Sequence, residues 1–570
     1  MKFSQAQLFK AHYLKALIFI CIIISVFGMY FPILRNDDPT LYASIAKNIV
    51  FSHNWANLMH PVGVDWLDKP HLPFWLTAIS FKIFGITSFA YILPGFLFNL
   101  LGGYYTYRLA RVLYNKNIGL IAALIYFSAF HLLLSATVDI RAEAYLMGMI
   151  TPACYYWYRY YKKSLVNFKW LLCATLFTAS AIMTKGLFTL ITIGSGVFAV
   201  SIFSLFNNPQ ENKTKHNTVT ACVLKYGLAI ILTLIFITPE LFALYLQFDM
   251  HPEKVIFGTS HVSGLKWFFW DSQFGRFFNS GPISRHEVMP WHYLYFVHTF
   301  MWVFLPWSVL FIVALWHMFR HELKQSPTIF ITASFFITFI LFSLSRFQLD
   351  YYLNILMPFA AIICARWIYF MRLNFAGQSH PVFRFQIGLA ILLNGIVLAL
   401  SFFVFSGLAL YFCLMMCIGG LLLFLLFMHH DLLTKAILYP IISINIVFVF
   451  ALLIYGYIYA KYDAGYNIAQ YFNNKAHAQV VDFRVNSLTL EFYTKDNYTQ
   501  IHDLSNLKQL QKPYYIVAFK SDKPLLMNNN IKLVEITTFV GTTIDKVMAN
   551  LLKINNLNKI LTDYVILEVK

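Results

Sequence analysis

Charged residues are scarce in this chain, at 12% of 570 positions against 59% hydrophobic ones. An ordinary soluble domain keeps about a quarter of its residues charged, so a water-soluble globular enzyme of this length is excluded. Cysteine is sparse too. Cys21, Cys154, Cys173, Cys222, Cys364, Cys413 and Cys417 all fall inside apolar runs, where they serve as small hydrophobes rather than bridges or ligands. The sequence has no CxxC pair, and none of its histidines shows the HExxH spacing of a helical zinc site, including His60, His71, His251, His261, His286 and His292. The GxxxxGK[ST], GxGxxG and GxSxG patterns are also absent, which argues against a self-powered ATPase pump and against a serine hydrolase.

Long apolar runs dominate what is present. A helix of about 20 apolar residues crosses a hydrocarbon core of roughly 30 Å. Thirteen such stretches can be drawn: Leu14 to Leu34, Phe89 to Arg111, Ile118 to Ala136, Ala142 to Tyr161, Trp170 to Thr184, Leu187 to Phe206, Thr220 to Leu246, Tyr293 to Met318, Ile329 to Ser345, Tyr351 to Met371, Phe385 to Phe405, Leu408 to Met428 and Leu432 to Tyr459. The first lacks a small-residue cleavage site and is read as a retained anchor. The expected fold is therefore mostly α, a polytopic helix bundle over residues 1–460 with long loops at 35–87 and 247–292. Residues 461–570 are polar and alternate β-prone runs (Gln479 to Phe483, Tyr514 to Phe519, Lys532 to Thr537) with helical patterns (Ser505 to Leu510, Thr543 to Leu552), which predicts a small α/β domain outside the bilayer.

The net charge of +18 would point a soluble protein toward nucleic acid, but topology explains it here. Alternate connections carry Arg108, Arg111, Lys116, Arg159, Lys162, Lys163, Arg320, Arg366, Arg372 and Lys435 against only Glu211, Glu322 and Asp431, which marks them as cytoplasmic. The opposite side collects nearly all the acids. It also holds Lys69, Lys185, Arg276, Arg285 and Arg346, cations that an anionic ligand at that face would justify.

Several constellations on that side can carry chemistry. Asp37 and Asp38 precede Pro39, so Asp38 is either a catalytic or metal-binding acid or the N-cap of the next helix. Asp65 to Leu76 runs from charge into aromatics, as an interfacial belt also would. Asp139 and Glu143 are four residues apart and share a face if the fourth span begins beside them, with Arg141 on another face. Acids at the hydrocarbon edge are costly and favour function. Lys185, in Thr184-Lys185-Gly186, either holds an anion or snorkels to the interface. Gln273 to Phe278, Ser284 to Glu287, Pro290 to Tyr293 and Phe342 to Tyr352 complete the set, bringing carboxylates and cations from several loops to one face.

In their order, these motifs resemble the GT-C membrane glycosyltransferases, and among them the bacterial lipid A aminoarabinose transferases and the protein O-mannosyltransferase-like enzymes. The likeness rests on Asp38-x-x-x-Tyr42, Asp68-Lys69-Pro70-x-x-x-x-Trp75-Leu76-Thr77, Phe84-Gly85, Asp139, Thr184-Lys185-Gly186, Arg276-Phe277, and Ser343-x-Ser345-Arg346 followed by Tyr352. It implies a GT-C fold in the bacterial inner membrane, with the N-terminus cytoplasmic and the C-terminal domain periplasmic. It implies catalytic roles for Asp38, Asp37 and Asp139, and a phosphate or donor site of Lys69, Lys185, Arg276, Arg346, Tyr352 and Tyr42. A divalent cation (Mg, Mn or Zn) would lie near Asp38, Asp68, Asp139 and Glu143. The implied partners are a polyprenyl-phosphate-linked sugar, lipid A or another acceptor, and membrane lipid, with no nucleic acid.

This sequence departs from the family pattern at four points. Asp38-Pro39 replaces an Asp-Glu pair, Leu41 a frequent arginine, Asp68 a common glutamate and Gln348 an expected lysine, which leaves the essential acid open between Asp37 and Asp38 and the sugar open as well. The expected reaction moves an amino sugar or hexose from undecaprenyl phosphate to lipid A at the periplasmic face. The rival acceptor is a protein hydroxyl. A lipid-linked sugar flippase is the rival of another class, although flippases place charge at the midplane and show repeated halves.

Overall fold

The computed structural model describes residues 10–30, 33–34, 36–162, 167–207, 215–284, 291–374, 380–475, 479–495, 497–507, 510, 512–528, 532–542 and 561–569. Each of the thirteen apolar stretches coincides with a helix or a pair of helices. By length and composition, seven described helices can cross a membrane, eight if one bent pair is counted, and Leu72–Phe84, Lys116–Phe127 and Thr189–Ser204 are shorter apolar helices. The protein is a multi-pass membrane protein.

The helix Ala142–Tyr161 packs between Ser88–Leu113 and Phe168–Lys185. Ala142–Tyr161 is buried over most of its length. Small residues permit the approach: a Cβ on Gly148 would sit 2.3 Å from the Phe98 carbonyl oxygen, so only glycine lets these two backbones touch.

Two stretches that read as single spans are broken. Tyr293 to Met318 folds as His292–Val303 and Ser308–His321, bent by 114°. Pro306 lies in the break, and proline cannot supply the N–H that a continuous helix needs. Ile118 to Ala136 divides into Lys116–Phe127 and Phe130–Ser135. The two breaks satisfy each other, since the Phe130 N–H donates to the Leu305 carbonyl (2.9 Å) and the Trp307 indole donates to Ser128 Oγ (3.1 Å). Beyond the break, His131 and Ser135 hydrogen-bond Asn354, at 2.7 Å and 2.8 Å. This fixes the 3-10 turn Asp350–Leu356 at one end of the bundle.

The C-terminal domain is a five-stranded mixed sheet of order β2-β1-β3-β5-β4. Its strands are β1 Val480–Phe483, β2 Tyr498–Ile501, β3 Tyr514–Phe519, β4 Leu533–Gly541 and β5 Thr562–Val569. β1 runs parallel to β2 and β3, while β5 runs antiparallel to β3 and β4. The three β-prone runs match β1, β3 and β4; β2 and the interior strand β5 fall outside them. The Ser505 to Leu510 pattern is helical over Leu504–Leu507, and Thr543 to Leu552 lies outside the described residues.

The domain rests on the helix Asp38–Ser52 through its own helix Leu488–Tyr493. Lys47 donates to the carbonyls of Glu491 (3.1 Å), Phe492 (3.0 Å) and Thr494 (2.6 Å), capping the end of that small helix with a cation. At the other end of the bundle, Arg366 pairs with Glu322 at 3.1 Å.

Candidate active site

Asp37 is the N-cap position of Asp38–Ser52, yet its side chain makes no cap hydrogen bond, and Pro39 occupies the first turn. The capping expectation for Asp38 therefore fails. Both carboxylates turn instead to Arg141, whose Nη1 donates to Asp38 Oδ2 and Nη2 to Asp37 Oδ2, each at 2.6 Å, while Nε donates to Asp139 Oδ1 at 2.9 Å. Arg141 is only 8% exposed and stacks 4.6 Å from the Tyr351 ring. Burial lowers its pKa, but Asp139, Asp38, Tyr351 and Asp37 outweigh that, and the net shift is upward.

The shared face drawn for Asp139 and Glu143 is also corrected. The helix starts at Ala142, so Asp139 lies in the preceding turn and bonds Arg141, while Glu143 enters the bundle and pairs with Lys185. Lys185 ends its helix, and Gly186 follows at φ +94°. A Cβ on Gly186 would strike the Gln273 amide at 2.2 Å, which explains the Lys-Gly pair: glycine turns the chain and lets Ser272–Phe278 close over it. The Lys185 ammonium lies 4.3 Å from the Tyr352 ring.

A second cluster joins Asp68 to both Lys69 and Arg276. Burial by itself pushes the Asp68 carboxyl up, but the Lys69 and Arg276 charges and hydrogen bonds hold it well below the usual carboxylate range. The loop carrying Asp68 is gripped from the helix Lys215–Leu244 and its extension. Glu240, fully buried, accepts from the His71 backbone N–H and faces His71 Nδ1, both at 3.0 Å. Gln247 Nε2 donates to the Leu58 carbonyl and to Asp65, both at 2.8 Å. The Ser345 hydroxyl donates to the Arg276 carbonyl (3.4 Å) and the Arg346 N–H to the Phe277 carbonyl (3.1 Å), so this motif supports the arginine helix through its backbone.

The Arg141 and Asp68 clusters line one cavity of about 410 Å³, walled by Asp37, Asp38, Asp68, Asp139 and Asp350 and by Lys69, Arg141 and Arg276, while Glu143 and Lys185 line the space beside it. That space is an apolar slot of about 80 Å³ that reaches past Leu146, Phe188 and Leu341. Arg276, Phe347 and Tyr352 border both spaces, so the basic side of the polar cavity opens onto the apolar slot.

The other predicted residues lie elsewhere. Tyr42 is buried on Phe74 (ring centroids 5.2 Å apart) and lines neither space, and Arg346 is exposed outside both. Arg285, His286, Glu287 and Pro290 fall outside the described residues. A shared metal would need carboxylates free to converge, and the four nominated acids do not fit that role. Asp38 and Asp139 bond Arg141, Asp68 sits between Lys69 and Arg276, and Glu143 pairs with Lys185. Among the described residues no three His, Cys, Asp or Glu side chains form a metal-holding group.

Arg141, Glu240, Asp350 and Tyr351 belong to the site beyond the individually nominated residues. Arg141 carried a signal, being a cation set between two acids at a span boundary. Glu240 carried one as well, an acid inside an apolar run.

A helix bundle with this polar cavity at one end is similar, in sequence and in fold, to membrane glycosyltransferases. Residues 68–241 match the family model described as dolichyl-phosphate-mannose-protein mannosyltransferase. The chain is 25% identical over 340 residues to an undecaprenyl phosphate-alpha-4-amino-4-deoxy-L-arabinose arabinosyl transferase of Proteus mirabilis, covering 59% of this chain and 55% of that protein. It is 25% identical over 374 residues to the Yersinia enterocolitica transferase of that description, covering 64% and 62%. The match thus spans somewhat over half the length of these curated relatives. In fold it is similar to ArnT from Cupriavidus metallidurans bound to undecaprenyl phosphate, with a TM-score of 0.72 at 16% identity over 92% of this chain and 96% of that one.

Proposed function

We propose that this protein transfers an amino sugar of the aminoarabinose kind from undecaprenyl phosphate to lipid A, at the periplasmic face of the bacterial inner membrane. The observation that carries the reading is the junction of the two spaces at Arg276 and Tyr352. A polyprenyl phosphate has an apolar chain ending in an anion, and this junction offers an apolar slot ending in Lys185, Arg276 and Lys69. The far side of the cavity is acidic, with Asp37, Asp38, Asp139 and Asp350 around Arg141. Such a wall suits a sugar that carries an ammonium group. Relatives named for a 4-amino sugar donor support the same chemistry.

In the proposed step, an acceptor phosphate oxygen attacks the anomeric carbon while the bond from that carbon to the donor phosphate breaks. The electron pair leaves with undecaprenyl phosphate, and fixed cations at the junction stabilise the charge where it develops. The acceptor is already anionic and needs no general base, so Asp38 orients the sugar rather than taking a proton. Lysine and arginine bias in the alternate connections supports the assigned orientation.

A second reading, transfer to a protein hydroxyl, draws on the family model over residues 68–241. Mass spectrometry of lipid A and of exported proteins from cells with and without the gene separates the two. Loss of an amino sugar from lipid A is expected, and loss from proteins alone overturns the lipid A assignment. Asp38→Asn should lower transfer by about 10²–10³-fold, the range for losing one preorganised polar contact at a reaction centre.

A further inference from the structure

A larger cavity, about 860 Å³, lies at the seam between the C-terminal domain and the bundle and shares no lining residue with the catalytic cavity. The helix Asp38–Ser52 joins the two sites, with Asp38 at its start and Lys47 nine residues on, about 14 Å along the axis. Three lysines line the seam, Lys47, Lys82 and Lys495, and no carboxylate is present among its described lining residues. Lys47 is committed to the three carbonyls of the C-terminal domain. Lys82 and Lys495 are exposed, one from the bundle and one from the domain.

The seam opens where lipid begins. Tyr30 follows the apolar span Ala11–Gly28, and Ser88 begins the helix Ser88–Leu113. The neighbouring Phe51, Ile83 and Phe84 are 59%, 66% and 52% exposed, as expected of side chains set against a bilayer interface. Its floor is apolar, made by Val50, Phe81 and Phe492. Apolar walls, opposed lysines and an opening at the interface match an amphiphile with an anionic head.

We propose that this seam is a second, non-catalytic site, for the phosphate headgroup and proximal acyl chains of an anionic phospholipid from the surrounding leaflet. Lys82 and Lys495 bracket the phosphate from the two sides of the seam, so a bound lipid ties the C-terminal domain to the bundle. The proposal does not rest on the donor or acceptor assignment above.

The test is native mass spectrometry of the full-length protein in detergent, titrated with phosphatidylglycerol and, separately, phosphatidylcholine. Phosphatidylglycerol should bind at least about tenfold more tightly, and the exposed pair Lys82→Glu/Lys495→Glu should erase that preference. Val50→Trp, which fills the floor and leaves the lysines in place, should weaken phosphatidylglycerol binding independently. Equal binding of the two lipids, or a preference that survives the charge reversal, overturns the proposal. Full displacement by an equal concentration of inorganic phosphate overturns the lipid assignment in favour of a free anion. Sugar transfer is not the readout, so failure here leaves the proposed reaction untouched.

Discussion

At the candidate site, Asp37, Asp38, Asp139 and Asp68 in the polar cavity and Glu143 in the slot beside it each meet a guanidinium or an ammonium. In the C-terminal domain, Asp463 and Asp482 are more deeply buried than the aspartates on Arg141 and face only neutral donors. Asp463 accepts from the Tyr466 N–H (2.7 Å) and the Thr489 hydroxyl (2.8 Å), and its Oδ2 has no partner. Asp482 accepts from the Val485 N–H (2.8 Å) and the Tyr498 hydroxyl (2.9 Å). Burial accordingly raises both, Asp463 to about 6, whereas Asp68 is held down by its cations. A carboxylate paired with a fixed cation keeps its charge across the physiological range, which a site built for charge requires. One held by neutral donors titrates, and its role is to organise the fold.

Breaking the paired side should have the largest effect. Arg141→Ala leaves three carboxylates facing one another without their common partner. A loss of about 3–5 kcal/mol in stability is expected, with transfer below detection, read by thermal unfolding in detergent and by a donor-to-acceptor assay. Arg141→Lys keeps the charge but cannot span three carboxylates, so the protein should fold and transfer should fall by about 10²-fold. Wild-type transfer by Arg141→Lys would break the comparison at its centre.

At the junction between the two regions, Lys47→Met removes three charged hydrogen bonds and should loosen the C-terminal domain by about 2–3 kcal/mol. Hydrogen exchange of Leu488–Tyr493 should quicken while that of Ala142–Tyr161 stays unchanged. Equal protection of both in the variant would show that the domain is held by other contacts.

The smallest effect sharpens the neutral side. The folded pKa of Asp463, about 6, lies above its ordinary value, so its contribution is fully present below pH ~4 and is lost as pH rises through 6. Asp463→Asn keeps the Oδ1 contacts and removes the buried charge. It should raise thermal stability at pH 7.5 by on the order of 2 kcal/mol and leave it unchanged at pH 4. A gain of equal size at both pH values would mean that the carboxyl does not titrate in the fold.

Much of the bundle was legible in the sequence because lipid imposes a length and a polarity on every crossing helix. Each apolar stretch found its helix for that reason. The two breaks were not legible, since the hydrogen bond from Phe130 to Leu305 joins backbone groups 175 residues apart. For the site, Asp37, Asp38, Asp68, Lys69, Asp139 and Arg276 announced themselves as charge placed where the membrane resists it, and they share a cavity. Arg346 announced itself in the same way and points elsewhere. In the C-terminal domain, β1 and β3 showed as short β-prone runs. β5, the partner that completes the sheet between β3 and β4, was not picked out as a strand.

By itself the sequence determined that this chain lives in a bilayer, which segments form apolar helices and which charges gather near one another, because hydropathy and charge bias act locally and survive without a fold. Only the tertiary structure decided who pairs with whom. It set Arg141 among three aspartates, Lys185 on Glu143, Glu240 beneath His71, and a lysine-lined seam under the C-terminal domain. Such pairings depend on which helix ends meet in space, and helix ends far apart in the chain meet only through packing.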